Sequence, residues 1–293
     1  MIQRKRSRTE MRYAIIAMFF LAVAAPVFSA QSEDTAVVEA YNWLTLQQST
    51  NRSFFIFTRG LLPSYENGTD CFTYDQALAC MAFVLEGDFK KARQILDFYD
   101  ETYKKQVRQY GKFIGFSDAY KKDGAWGETW AAGPNAWLLM AINRYTYLTK
   151  DNRYLELAGK IADWLISLEA IDGGIIGGYY GNGEPMAWIS TEHNFDCYAA
   201  FRDMGILTGD EKYLKIAKET KLWLENAAWN GKEKRFDMGQ GNPNYATDLS
   251  SWAVLSLGKK YGPTLDFAIE KSLTKKLYKV KNVEVEGFDF GST

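Results

Sequence analysis

Polar and apolar positions along the chain fall into two alternating patterns. In TKDNRYLELAGKIADWL, starting at Thr149, Tyr154, Leu155, Ala158, Ile161, Ala162 and Leu165 fall at i, i+1, i+4, i+7, i+8 and i+11. That spacing puts one apolar face on a helix, with Lys, Glu and Asp on the other. TGDEKYLKIAKETKLWL, starting at Thr208, repeats it without gaps at an offset of 59. A looser copy covers residues 86–98, and a degenerate fourth begins near Gly262. Each copy follows a stretch that is apolar nearly all round, at residues 77–85, 136–145, 197–207 and 252–258. A helix apolar on every side must be covered on more than one side.

An inner helix buried almost everywhere, paired with an outer helix exposed on one face, is the unit of an α/α toroid. The turns within the pairs, Gly87-Asp88, Lys150-Asp151 and Gly209-Asp210, are short and carry the Asp that caps a following helix. Pro63, Pro134, Pro185, Pro243 and Pro263 fall outside the helical stretches or in their first turns. The 59-residue period is too long for a tetratricopeptide solenoid, whose repeat is about 34 residues. The pattern therefore predicts an all-α, (α/α)6-type toroid. Its helices are expected at about 73–86, 88–106, 134–149, 152–169, 194–208, 211–227, 247–260 and 264–277.

The first 30 residues read as a leader and the remainder, 31–293, as one toroid domain. Arg4, Lys5, Arg6, Arg8 and Arg12 precede an apolar run, Pro26 breaks it, and small residues follow. That is the layout of a cleavable signal peptide, and it predicts a periplasmic or secreted protein without a membrane span beyond the leader. Residues 1–30 hold five basic and one acidic side chain, so without them the net charge falls from −1 to −5. A mildly acidic chain with no basic block argues against nucleic acid as a partner. Cys71, Cys80 and Cys197 have no metal-like spacing and read as packing residues. With His193 the only histidine, no metal or other cofactor is expected.

Chemistry-bearing residues gather where the inner helices begin. Successive repeats read FTYDQAL with Asp75, WGETWAAGPNAW with Glu128 and Asn135, STEHNFDCYAAF with Glu192, His193, Asn194 and Asp196, and NYATDLSSW with Asp248. Inner helices of a toroid run parallel, so these groups are expected at one rim. Trp126, Trp130, Trp137, Trp188, Tyr179 and Tyr180 would line the funnel there. Glycoside hydrolysis needs a protonated carboxylic acid, a carboxylate and aromatic faces for sugar rings. Asp75, Asp196 and Asp248 also suit helix capping, and both readings stand. Glu128 reads either as a general acid, raised by apolar surroundings, or as a solvated loop glutamate, and His193 is expected to bond a carboxylate or backbone carbonyl.

The runs TYDQALACMAFVLEGDFKKA, GPNAWLLMAINRYTYLTKDNRYLELA and STEHNFDCYAAF with TGDEKYLKIAK resemble the six-hairpin glycosidase superfamily, in a secreted bacterial branch. The resemblance covers residues 61–293. It implies a rim site holding Asp75, Glu128, Glu192 and Asp196, and an oligo- or polysaccharide as partner. Sugar epimerases of this architecture use two histidines, and this chain has one. The expected activity is hydrolysis with inversion, with Glu192, Asp75 and Glu128 as catalytic candidates. Asn135, Asn194, Asp196, His193, Asp248, Trp126, Trp130 and Trp188 are the substrate-binding candidates. A polysaccharide lyase using His193, or a non-catalytic glycan-binding toroid, is the alternative. A lyase must also hold a carboxylate, and only Arg202 and Arg235 offer the charge. A closed ring of six hairpins has twelve helices, whereas about nine are legible here. A truncated or open ring is therefore expected, with Trp252, Val254 and Leu255 at an exposed apolar edge.

Overall fold

A computed structural model of the chain describes residues 33–50, 60–121, 124–278 and 282–291. The expected leader lies outside the described residues. The described residues form nine α-helices: α1 (Glu33–Thr50), α2 (Thr73–Glu86), α3 (Phe89–Tyr110), α4 (Ala132–Thr149), α5 (Leu155–Ile166), α6 (Thr191–Thr208), α7 (Glu211–Trp223), α8 (Asp248–Leu257) and α9 (Pro263–Ser272). Among the described residues no helix is long and apolar enough to cross a membrane.

Helices α2 and α3, α4 and α5, α6 and α7, and α8 and α9 form hairpins, and α2, α4, α6 and α8 pack side by side in that order. Burial separates the two layers: 13 of the 18 residues of α4 are buried, against eight of 22 in α3. Two of the three turns behave as their sequence requires, whereas in the third Asp151 does not cap α5, whose N-cap is Tyr154 without a side-chain bond. Gly87, Lys150 and Gly209 take left-handed φ angles of 80°, 60° and 72°. Asp88 then caps α3 by accepting from the Lys91 amide, and Asp210 caps α7 by accepting from that of Lys212. Helix α1 lies over the first hairpin. Tyr41 meets Phe83 edge-on at 6.0 Å and donates to Asp88 Oδ2 at 3.0 Å.

Several boundaries differ from the sequence reading. Helices α4 and α6 begin two and three residues earlier than expected, where Ala132 and Thr191 donate their amides to the Gly177 and Met238 carbonyls of the rim loops. Helix α7 gives way to a π turn at Leu224–Ala228. The last expected helix ends at Ser272, and its tail becomes β8 (Leu273–Tyr278), antiparallel to β9 (Val283–Phe288). Extended backbone sets Lys275 opposite Glu286, with an ion pair at 3.0 Å, and faces the strand with β-branched Val283 and Val285.

The remaining strands sit where inner helices begin. They are β1 (Asp70–Phe72) with β2 (Ala119–Lys121), β3 (Thr129–Ala131) with β4 (Gly178–Tyr180) and β5 (Pro185–Met186), and β6 (Trp229–Asn230) with β7 (Arg235–Phe236). At two or three residues each, they are too short to show a period-two pattern. The main core fills the space between the first three hairpins, and a smaller one around Phe195, Trp223, Phe236 and Tyr261 joins the fourth. Cys71, Cys80 and Cys197 are buried and unbridged. On the α8 flank Leu255 is exposed, whereas Trp252 meets Trp137 at 5.3 Å and Val254 packs on the smaller core.

Candidate functional site

Three carboxamides, spaced by the repeat, tie the rim loops to the starts of the inner helices. Gln76, Asn135 and Asn194 are 59 residues apart. The Gln76 side chain accepts from the Leu62 amide at 2.9 Å and donates to the Leu62 carbonyl at 2.8 Å. Asn135 grips Phe116 in the same two-sided way and donates also to the Ala131 carbonyl, each bond 2.9 Å. Asn194 does so with Ile175, at 2.8 and 3.0 Å, and with Ser190 at 2.8 Å. Both asparagines are completely buried. The expectation that Asn135 and Asn194 contact a ligand is therefore corrected: main-chain groups take up both carboxamides.

The same register brings a second set of residues to the mouth of the ring. Tyr74, Gly133 and Glu192 occupy equivalent positions 59 apart, as do Trp137 and Asp196 one turn deeper. The Tyr74 hydroxyl donates to Asp196 Oδ2 at 3.3 Å and its ring meets Trp137 edge-on at 6.2 Å. Gly133 makes that approach possible, since a β-carbon there would overlap the Tyr74 hydroxyl and the His193 ring. His193 lies against Trp188 with ring centroids 5.3 Å apart. Its Nδ1 is buried without a partner, which corrects the expected hydrogen bond to a carboxylate or carbonyl.

Burial sets the protonation of this cluster. It raises Glu192 to about 7, helped by the charge of Asp248 and opposed by Tyr74. Asp196 is pushed far above the usual carboxylate range by burial and then by Glu192, although Tyr74 and the adjacent Trp137 oppose the shift. The Trp137 indole nitrogen itself completes no hydrogen bond. Burial also raises Asp248, despite the Leu249 amide donating to its Oδ1 at 2.9 Å. His193 is lowered to about 4 by burial, so it stays neutral through the physiological range. A buried acid that titrates near neutrality beside a second carboxyl can donate a proton to a bound oxygen and recover it.

Other sequence candidates lie apart from the cluster. Asp75 shares the rim but faces Ser64, which eases a shift raised by burial. Glu128 is exposed in the loop before β3, so the expected apolar surroundings are absent. Trp126 and Trp130 meet edge-on at 6.5 Å and pack on the main core, forming wall more than open platform. Trp188 is 45% exposed and is the open aromatic face beside the carboxyls. Arg235 is held by Glu233 and Asp237, each at 2.6 Å, and Arg202 by Asp203 at 2.8 Å. Tyr74 was not singled out by sequence, and Trp252 was expected only at an apolar edge. The signal that finds Tyr74 is its repeat equivalence to Glu192.

Beneath the carboxyls, the bore of the ring holds a cavity of about 710 Å³. Its upper layer is Trp137, Asp196 and Trp252, its middle layer Met81, Met140, Ala199 and Leu255, and its lower layer includes Asn143 and Arg202. Met81, Met140 and Ala199 again stand 59 apart.

No family model matches the sequence, and no curated protein is significantly similar to it. Solved structures are similar in fold. A glycosidase aligns with TM-score 0.62 at 11% identity, over 84% of this chain and 73% of its own. A D-mannose isomerase aligns with TM-score 0.63 at 14% identity, over 92% and 75%. A GH76 α-mannanase of Bacteroides thetaiotaomicron aligns with TM-score 0.56 at 12% identity, over 99% and 90%. With its stacked hairpins and the rim they build, the chain has the helical toroid fold of these solved structures.

Proposed function

We propose that the chain is a glycoside hydrolase in which Glu192 is the general acid and Asp248 its carboxylate partner. The observation that carries this reading is Glu192, raised to about 7 by burial and by Asp248 at the ring mouth. The acid protonates the glycosidic oxygen as the C1–O bond breaks. Asp248 takes a proton from the water that attacks C1, leaving an inverted anomer. Trp188 offers a stacking face, and Tyr74 with Asp196 sets the floor. Asp75 and Glu128, the other sequence candidates, are assigned to the outer rim. A carbohydrate substrate agrees with neighbours that are glycosidases and a sugar isomerase. On this reading the basic leader exports the chain, and N-terminal sequencing of the secreted protein would find residues 1–30 removed.

The test is a glycan-panel hydrolysis screen on wild type, Glu192→Gln and Asp248→Asn, with the first-formed anomer read by NMR. Loss of acid catalysis should lower turnover by at least about 100-fold in Glu192→Gln. Full activity in that variant, or binding of a glycan that is never cleaved, would replace hydrolysis with the glycan-binding reading.

A further inference from the structure

We propose that Tyr74 is a positioning residue whose hydroxyl hydrogen rests on a neutral Asp196 and turns to Glu192 when that acid gives up its proton. The role of Glu192 rests on the hydrolase reading, whereas the contacts that make the switch do not.

The Tyr74 hydroxyl stands between two carboxyls. It donates to Asp196 Oδ2 at 3.3 Å and also faces Glu192, one turn earlier in α6. A phenol carries one hydrogen, so it serves one of the two acids at a time. Its oxygen is packed against Gly133, where a β-carbon would come within 2.0 Å, and its ring against Trp137. The oxygen is thereby fixed and the hydrogen alone can turn.

Asp196 is 2% exposed, and the groups acting most strongly on its carboxyl are Glu192, Tyr74, Trp137 and Asp248, none of them a cation. An ion buried without a counter-charge is costly, so Asp196 keeps its proton. A neutral acid holds the Tyr74 hydrogen weakly, and 3.3 Å is long for an O–H···O bond. An ionised Asp196 would grip it by a charge-assisted bond about twice as strong and withhold it from Glu192.

Once Glu192 has protonated the glycosidic oxygen, it is an ion in a mouth whose other charge, Asp248, is also negative. Turning the Tyr74 hydrogen to the new carboxylate forms the charge-assisted bond that Asp196 does not. No covalent bond changes in that turn: the Glu192 proton has gone to the leaving oxygen, and Tyr74 keeps its own. Stabilising the conjugate base makes Glu192 a stronger acid as it acts.

The experiment follows carboxyl-labelled glutamate by NMR in wild type, Tyr74→Phe and Asp196→Asn, with Glu192→Gln to assign the signal. Tyr74→Phe should raise the Glu192 midpoint by about one pH unit. Asp196→Asn should leave it in place, since an amide and a neutral acid carry the same charge. A midpoint in Tyr74→Phe at or below that of wild type overturns the switch. So does a lowered midpoint in Asp196→Asn, which would show a charged Asp196. If Tyr74→Phe does not fold, infrared spectra at pH 8 compare Glu192→Gln with and without Asp196→Asn. The carbonyl band of a protonated carboxyl should be present in the first and weaker in the second, and identical bands overturn the neutral Asp196. In hydrolysis, the alkaline limb of kcat/KM in Tyr74→Phe should move with the NMR midpoint. A lowered kcat with an unmoved limb would make Tyr74 structural only. The expected midpoints without hydrolysis by wild type support the switch and overturn the hydrolase reading instead.

Discussion

Glu192 and Asp248 stand in the first turns of neighbouring inner helices, and the Asp248 charge helps Glu192 keep its proton. Replacing Asp248 by Asn removes that charge while leaving a group of similar shape. The Glu192 carboxyl should then titrate below its value of about 7, since burial alone would hold it up. NMR titration of the side-chain carboxyl in Asp248→Asn checks this without requiring activity. An unmoved midpoint would show that the two groups are not coupled.

Glu192 also makes stability depend on pH. Its folded value of about 7 lies above the ordinary 4.5, so the native state holds a proton the unfolded chain releases. Its contribution is fully present below 4.5 and is lost as pH rises through 7. Glu192→Gln should therefore be more stable than wild type at pH 8, by up to about 3 kcal/mol and with a higher melting temperature, and nearly alike at pH 4. Paired thermal melts at the two pH values measure the difference.

His193 acts in the opposite direction. Burial lowers it from 6.5 to about 4, so its contribution is present above 6.5 and is lost as pH falls through 4. His193→Gln should flatten the acid limb of the stability curve, because a neutral amide gains no charge. A denaturant series between pH 7 and pH 3.5 reads that limb.

Asn135→Ala and Asn194→Ala should fail through folding, not chemistry. Each removes three hydrogen bonds and leaves buried main-chain groups of the rim loop unpaired. A loss of about 2–4 kcal/mol is expected for each. Because the repeats differ in loop length but not in this contact, the two losses should be similar. Chemical denaturation gives the values.

Gly133→Ala tests the close approach at the mouth. The new methyl must displace Tyr74 or His193. Tyr74 should lose its bond to Asp196, with lower stability and a changed tryptophan signal from the neighbouring Trp137. Wild-type melting and fluorescence in this variant would show that the mouth can accommodate a methyl group.

The helices were legible because burial leaves a periodic mark: α2 runs over Thr73–Glu86 as the apolar spacing indicated, and the Asp-capped turns fall at Asp88 and Asp210. The end of α9 was not, because Lys275 finds its partner in Glu286 on a strand still to come. At the site, Glu192 and Asp248 were legible as acids placed before apolar helices. The partners of a polar side chain were hidden. Asn135 and Glu192 look alike as polar residues at a helix start, yet one faces a loop backbone and the other the mouth. Asp75 and Glu128 shared that composition and lack those neighbours. Tyr74 was lost among aromatics making up 15% of the chain, although its repeat position marks it.

The three carboxamide clamps grip only main-chain groups, those of Leu62, Phe116 and Ile175 in the loops and of Ala131 and Ser190 at the helix starts, never a loop side chain. Anchorage of the rim is thus blind to loop sequence. Side chains next to the clamped residues can drift, and with them whatever the rim recognises, while the ring below keeps its register. Such a scaffold is open to innovation at its mouth: each clamped hairpin carries a loop whose side chains can be rewritten without refolding the ring.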